Sequence, residues 1–565
     1  MSLRSAYLGA LLATTMFAAP AMAERGSDGE VKILYWQAPS ILNPFLSGGT
    51  KDVQSASLVI EPLARYNEIG EMVPWLAAEI PTLENGGISG DLTSITWKIA
   101  PGITWSDGTP FTAADVVFTA EYCMHPEGGC AQLTKFEGIS AVAAVDELTV
   151  KVTFDGPTPF PYAAFVGGES PIIQAAQFQD CLGAKAPECT EQNFNPIGTG
   201  PFTVTEFRPN DVITFAANEN YRDPAKPAFA TVTFKGGGDA AAAGRAVMET
   251  GEFDYAWNLQ LAPEVIAQME AGGKGEAIAA FGTLVERIML NNTNPDPALG
   301  PDERSVIRPH PSLSDPAVYQ AMSLAIDRPL LVEIGYGKAG KVTCNLVAAP
   351  AAYNSDTFDC STQDIAAANA MLDEAGWVRG ADGVRAKDGV RLSYLYQTST
   401  NAVRQDFQAL IKQWWSEIGI ETELRNISGS VFFGGDAGSP DTFQKFYADV
   451  EMYANLFDGT DPQAYMGKFL CDKAPSPATQ WQGENISRYC DDDYEALYAE
   501  LEQTADPAER ARIVKELNDM LIDGGAMIPL VHRGRVSGRS LTLGGVVLNT
   551  WDSELWNIAD WHRLQ

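Results

Sequence analysis

Residues 391–427 read "RLSYLYQTSTNAVRQDFQALIKQWWSEIGIETELRNI". "RLSYLYQ" is a predicted strand, "RQDFQALIKQWWSEIG" an amphipathic helix, and "IETELRNI" a second strand. The order strand, helix, strand predicts an α/β lobe. On its N-terminal side, "DPAVYQAMSLAIDRPLLVEI" (315–334) predicts one long helix with Pro316 in its first turn and an end near Gly335. "DIAAANAMLDEAGW" (364–377) predicts another, stopped by Gly376. The predicted strand "VERIMLNN" (285–292) precedes both. On the C-terminal side, "DPAERARIVKELNDMLIDG" (506–524) predicts a helix with Asp506 as cap, Pro507 at its first position and Glu509 at its third. "MIPLVHRGRVSG" (527–538) then returns to strand.

The first half of the chain reads differently. "VKILYW" (31–36) is a predicted strand, and a helix is expected around Gln54 to Leu63. "ARYNEIGEMVPWLA" (64–77) is hairpin-like, while "TSITWKIA", "LTVKVTF" and "VITFAAN" alternate as half-buried strands do. "WSDGTPFTAADVVFT" (105–119) places an aromatic, two acids and a glycine close together, as an active-site loop would. Its local chemistry is structural: Asp107-Gly108 makes a turn, and Thr112 caps a helix whose third residue is Asp115.

At 565 residues the chain is long enough for at least two lobes, each with a core. Arg4, the apolar run "AYLGALLATTMFAAP" and "AMA" before Glu24 predict a signal peptide over residues 1–23. The first cysteine is Cys123, so no lipid anchor is expected at the cleavage point. No later stretch has the roughly 20 apolar residues of a spanning helix. The eight cysteines fall into near neighbours: Cys123 with Cys130, Cys181 with Cys189, Cys344 with Cys360, and Cys471 with Cys490. Four local disulfides are expected from that proximity in an exported chain. No metal is expected, since no pair has C-x2-C spacing. A net charge of −34 disfavours nucleic acid as a partner.

The search for catalytic chemistry finds little. The four histidines, His125, His310, His532 and His562, form no H-E-x-x-H motif, and G-x-S-x-G is absent. "GYGKAGK" (335–341) satisfies two phosphate-loop patterns, yet it follows a helix rather than a strand, and Val342 replaces the needed Ser or Thr. "DDDYEALYAELEQ" (491–503) reads as a solvated helix start with Tyr494, Leu497 and Leu501 facing a core. Neither catalytic residues nor a cofactor are expected.

"EPLARYNEIGEMVPWLA" (61–77) and "TWSDGTPFTAADVVFTAEY" (104–122) are followed in order by "NPIGTGPF", "NENYRDPAKP", "AMSLAIDRPLLVE", "NAMLDEAGW" and "NDMLIDGGAMIPLVHRGRVSG". This series resembles the peptide/nickel-type periplasmic solute-binding proteins of ABC importers, family 5, across the mature chain. The resemblance implies a type II periplasmic binding protein fold of class α/β, with two lobes and a subdomain inserted in the first, at roughly 70–195. The expected division is 24–285 plus 530–565 for the N-terminal lobe and 286–529 for the C-terminal lobe. Crossovers are expected near Leu284–Asn291 and Ile522–Val531. The resemblance also makes the "WSDGTPFTAADVVF" block scaffold. The expected partners are a peptide or other small ligand and the permease subunits at the inner membrane, the expected location is the periplasm, and the protein is expected to be a monomer.

Within that family, peptide binders hold the ligand ammonium on an Asp three residues before a D-P or E-P pair. In "FDGTDPQAY" (457–465) this position is Asp458. Two departures leave the ligand open: Asn455 stands where peptide binders commonly carry Trp, and Tyr394, Tyr396 and Gln397 offer no Arg where dipeptide binders place one. The loop Ser47 to Asp52, with Ser47, Gly48, Gly49 and Thr50, is expected to line the cleft, as are Trp36, Tyr396 and Gln397. A longer peptide, an opine-like amino compound or an oligosaccharide stacked on Trp36 and Trp481 remains open. An exported glycosidase or peptidase is the rival from another class.

Overall fold

The structure is a computed structural model of the chain; it describes residues 24–564 except 297, 300–307, 437, 458, 477, 478 and 480. The expected signal peptide lies outside the described residues. Two large sheets organise the rest. The first has seven strands in the order Gly275–Ala280, Arg535–Ser540, Tyr255–Trp257, Glu30–Tyr35, Thr231–Gly236, Val212–Ala217 and Phe202–Arg208. The second has six, in the order Gly340–Val342, Met527–Arg533, Val285–Leu290, Val450–Asn455, Ser393–Ser399 and Glu421–Ile427. The stretch 391–427 forms the expected unit: Ser393–Ser399 pairs in parallel with Glu421–Ile427, joined by the helix Ala402–Glu417.

The chain leaves the first sheet after Ala280, enters the second at Val285, and returns between Arg533 and Arg535. "MIPLVHRGRVSG" is therefore two strands in two sheets, broken at Gly534. The return falls later than the expected boundary at 530, because residues 527–533 pair with both Val285–Leu290 and Gly340–Val342. The two crossovers lie side by side, and the Arg533 N–H donates to the Leu284 carbonyl at 3.1 Å. Gly282 is required at the outward crossing, since a Cβ there would stand 2.5 Å from the Thr550 Cβ.

Two helix expectations are corrected. The segment 315–334 is two helices, Pro316–Leu324 and Arg328–Gly335. Pro329 has no N–H for a continuing helix, and Asp327 instead caps the second helix through the Leu330 N–H at 3.0 Å. The first α-helix of the described residues is Thr50–Ala56 rather than 54–63. Beyond it the Ser57 hydroxyl donates to the Gln54 carbonyl at 2.7 Å, and Pro62 comes soon after.

The segment 70–195 carries a three-stranded sheet of Ser94–Lys98, Thr149–Phe154 and Ile139–Asp146, with the helix Ala113–Met124. In the 105–119 block, Asp115 accepts from the Thr112 and Ala175 N–H groups at 3.0 Å each, and the Trp105 ring is buried. Its acids hold the helix start and neighbouring loops. The apolar residues of this segment and of the first sheet form one continuous core, whereas the second sheet has a separate core on each face.

The cysteines are structural: all eight are joined in disulfides. Cys123 is joined to Cys130 and Cys181 to Cys189, both in the inserted segment. In the second lobe Cys344 is joined to Cys360 and Cys471 to Cys490. Each bridge ties a half-buried or exposed loop end to the body. Cys123 and Cys181 are buried while Cys130 and Cys189 are only half-buried, and Cys490 is exposed where Cys471 is half-buried. Cys360 also donates its N–H to the Cys344 sulfur at 3.0 Å. No free cysteine stands among the described residues.

The inserted segment meets the second lobe where Glu137 pairs with Lys473, beside Asp472 and Glu484. Burial outweighs the Lys473 ammonium and pushes the Glu137 carboxyl up to about 7. A carboxyl raised by folding stabilises the fold in full below its ordinary value, and that contribution is lost as pH rises through about 7. Between about pH 6 and about pH 8, the unfolding free energy of the wild type is expected to fall by about 1 kcal/mol more than that of Glu137→Gln. Denaturant titrations at the two pH values check this; parallel changes in both proteins would contradict it.

Candidate functional site

A small cavity of about 80 Å³ lies between the two sheets. From the first lobe, Gly48, Gly49, Thr50, Trp257 and Asn258 face it; from the second, Arg404, Phe433, Tyr453 and Asn455 do. Arg533 and Arg535, on either side of the return crossover, complete the wall. The lobes touch here: a Cβ on Gly49 would stand 3.2 Å from the Phe433 carbonyl oxygen, and the Ala38 N–H donates to the Ser430 hydroxyl at 3.1 Å. Beyond this contact a larger chamber of about 1120 Å³ opens, lined by Trp36, Leu46, His125, Asp436 and Lys473 among others.

The charge pattern of the inner cavity rests on Glu286. Its side chain is 0% exposed. The carboxylate accepts from Arg404 Nε at 2.7 Å and Nη2 at 3.2 Å, and from the Tyr336 hydroxyl at 2.9 Å. Arg533 Nη1 lies 3.5 Å away. Burial alone would raise the Glu286 carboxyl, but the Arg404 and Arg533 guanidiniums outweigh it and hold it below the ordinary carboxylate range. The local sequence explains the placement. Asn401 caps the helix Ala402–Glu417 through the Arg404 N–H at 3.1 Å, which puts Arg404 in the first turn beyond the C-terminal end of a parallel strand. Such strand ends are where open α/β sheets bind ligands. A register shift between Glu286 and Arg287 marks the strand carrying the acid.

On the first-lobe side, Glu554 accepts from the Tyr255 and Ser537 hydroxyls at 2.7 Å each, and Arg535 Nε lies 3.9 Å from its other oxygen. Arg535 also donates to the Asn549 and Asp552 carbonyls at 2.9 Å.

The expected site residues divide. Gly48, Gly49, Thr50 and Asn455 line the inner cavity and Trp36 the outer chamber. Ser47 shapes the loop instead: its hydroxyl donates to Asp52 at 2.7 Å and accepts from the Gly49 N–H at 3.1 Å. The Trp36 indole N–H donates to the Asn258 carbonyl at 2.8 Å. Tyr396 and Gln397 line neither space. Their strand is covered on both faces, so the Tyr396 hydroxyl meets the Met452 sulfur at 3.3 Å and the Gln397 amide donates to Glu451 at 2.9 Å. Asp458 lies outside the described residues. Its neighbours are anchored: Thr283 Oγ1 donates to the Phe457 carbonyl at 2.7 Å, and the Gly459 N–H donates to the Trp551 carbonyl at 2.7 Å. Sequence reasoning missed Arg404 and Arg533. The cap Asn401 was the one available signal for the first, and nothing local marks the second.

Among the described residues no group of three or more His, Cys, Asp or Glu is placed to hold a metal ion, and no helix is long and apolar enough to cross a membrane.

The family described as bacterial extracellular solute-binding proteins, family 5 Middle, matches residues 71–476. Among curated proteins, the chain is 23% identical over 467 residues to the glutathione-binding protein GsiB of Escherichia coli (strain K12), covering 82% of each. Among solved structures, the oligopeptide-binding protein AppA from Bacillus subtilis, in complex with a nonapeptide, superposes with a TM-score of 0.80 at 19% identity, covering 96% of this chain and 100% of that one. NikZ from Campylobacter jejuni, in complex with Ni(L-His), gives a TM-score of 0.79 at 21% identity, covering 94% and 99%. These likenesses show a shared two-lobed fold.

Proposed function

Because the chain belongs to the bacterial extracellular solute-binding proteins of family 5, we propose that it is the substrate-binding component of an ABC importer, capturing peptides or related amino compounds between its lobes. The observation that carries this reading is the inner cavity, whose wall is supplied by both sheets and by the two crossovers. A ligand there touches both lobes at once, so it favours the closed arrangement by the difference in its contacts between open and closed. Closure of two domains about a few hinge residues is a general mode of ligand capture, and periplasmic binding proteins are among its standard examples.

The cavity chemistry suits an amino-acid-derived ligand. Guanidiniums from both lobes and the Glu554 carboxylate converge on it, and aromatic rings supply apolar wall. Asp458 is the proposed partner of the ligand ammonium, three residues beyond Asn455. The outer chamber has room for further residues of a longer peptide, since ligand sites commonly measure about 300–1,000 Å³. Relatives named for glutathione and for a bound nonapeptide accord with this class. Export to the periplasm, a monomeric state and docking on permease subunits belong to the same proposal, as does binding without turnover.

Native mass spectrometry of freshly purified protein identifies a co-purified ligand, and small-angle scattering with and without it tests closure. The radius of gyration is expected to shrink on binding. An unchanged radius with occupancy confirmed would overturn the hinge mechanism, and hydrolysis of the ligand would move the enzyme reading ahead.

A further inference from the structure

We propose that Arg533 is an anion-holding residue at the hinge, where a carboxylate of the bound ligand sits against its Nε–H in the inner cavity. The inference deepens the solute-binding reading and rests on it. Arg533 is 2% exposed and lines the cavity, yet its Nε has no hydrogen-bond partner. Its other nitrogens are engaged: Nη1 faces Glu286 at 3.5 Å and Nη2 donates to Asn258. A buried donor left without an acceptor is unfavourable, so the unfilled position marks where an acceptor belongs.

The neighbouring arginines are committed elsewhere. Arg404 directs Nε and Nη2 to Glu286, and its Nη1 donates to the Ser399 hydroxyl at 3.3 Å. Arg535 is turned to two carbonyls and to Glu554. Among the described residues, Arg404 and Arg533 thus face Glu286 and Arg535 faces Glu554, three guanidiniums to two carboxylates. One positive charge among these groups stands over, and an anionic ligand group balances it. Position adds a consequence. Arg533 is the last residue of the second sheet before Gly534, and Asn258, its partner, belongs to the first lobe. An anion on Arg533 therefore sits at the point about which the lobes close.

The test uses alanine dipeptide, tripeptide and pentapeptide, each as free acid and as C-terminal amide, in titration calorimetry with wild type, Arg533→Gln and Arg533→Lys. In the wild type the acid should bind about tenfold or more tighter than the amide, because a carboxamide cannot balance the charge. In Arg533→Gln the two should bind alike, and Arg533→Lys should restore part of the preference. A wild type indifferent to acid and amide would overturn the inference while leaving peptide binding intact, and this comparison needs no variant to fold. If no alanine peptide binds, the peptide reading fails for this series, and propionate and glutarate become the probes. Binding of either to the wild type and not to Arg533→Gln would uphold the anion site; no binding would overturn it.

Discussion

Glu286→Gln is expected to lower the unfolding free energy by about 3–5 kcal/mol, the cost typical of removing one partner from a buried ion pair. The size reflects the charges left behind. Arg404 and Arg533 are both buried, and Glu286 is the carboxylate that both face. A glutamine keeps the shape and one acceptor oxygen but leaves two guanidiniums in a poorly hydrated junction with no charge between them. The exposed pair Lys98–Glu79 serves as the control, since a surface pair contributes about 0–1 kcal/mol. Urea titrations of Glu286→Gln and Glu79→Gln should therefore differ severalfold in their loss. A loss below about 1 kcal/mol for Glu286→Gln would mean that water reaches the cluster and that the cavity is not a closed, low-dielectric site.

The second large effect is on binding. Asp458→Asn should weaken affinity for the co-purified ligand by about 30-fold or more, since breaking a buried charge pair costs about 2–5 kcal/mol and each 1.4 kcal/mol is tenfold. The variant should melt at or above the wild-type temperature, because a cleft carboxylate without its ligand is a cost to the empty protein. Calorimetry and a melting curve read both parts. Unchanged affinity would direct attention to Glu554, a carboxylate that lines the inner cavity, as the ammonium partner. A ligand without an amine would instead favour a sugar-binding role.

Much of the fold is legible in the chain itself. The unit 391–427 stands out because strand and helix have different apolar periods, and each of its elements is long enough to show one. The disulfides are legible because each pair brackets a short loop. Short strands are not: Tyr255–Trp257 has three residues, and Gly275–Ala280 ("GEAIAA") has little of the β-branched character that marks strands. The site is less legible than the fold. Gly48, Gly49 and Thr50 come from the family's first loop, and Asn455 from its place three residues before Asp458. Tyr396 and Gln397 line neither space for a physical reason: both are buried in a strand whose two faces are covered, and it is a residue beyond its C-terminal end that lines the inner cavity. Arg404 lies beyond it. Arg533 reaches the same cavity from 129 positions further along the chain, and no local pattern encodes that meeting.

The order of strands in the first sheet has a consequence for synthesis. Arg535–Ser540 lies between Gly275–Ala280 and Tyr255–Trp257 and pairs antiparallel with both. All other strands of that sheet have emerged from the ribosome some 250 residues earlier, and the whole second sheet is complete one residue before it. A chain growing from its N-terminus at about 5–20 residues per second therefore holds a gapped first sheet through the synthesis of its entire second lobe. Both sheets are filled at the end, the second by Met527–Arg533 and the first, one residue later, by Arg535–Ser540, but the first has stood gapped since Ala280. An unpaired edge exposed for that long invites partners from other chains, so a holding chaperone has its longest opportunity on the half of the molecule that was made first.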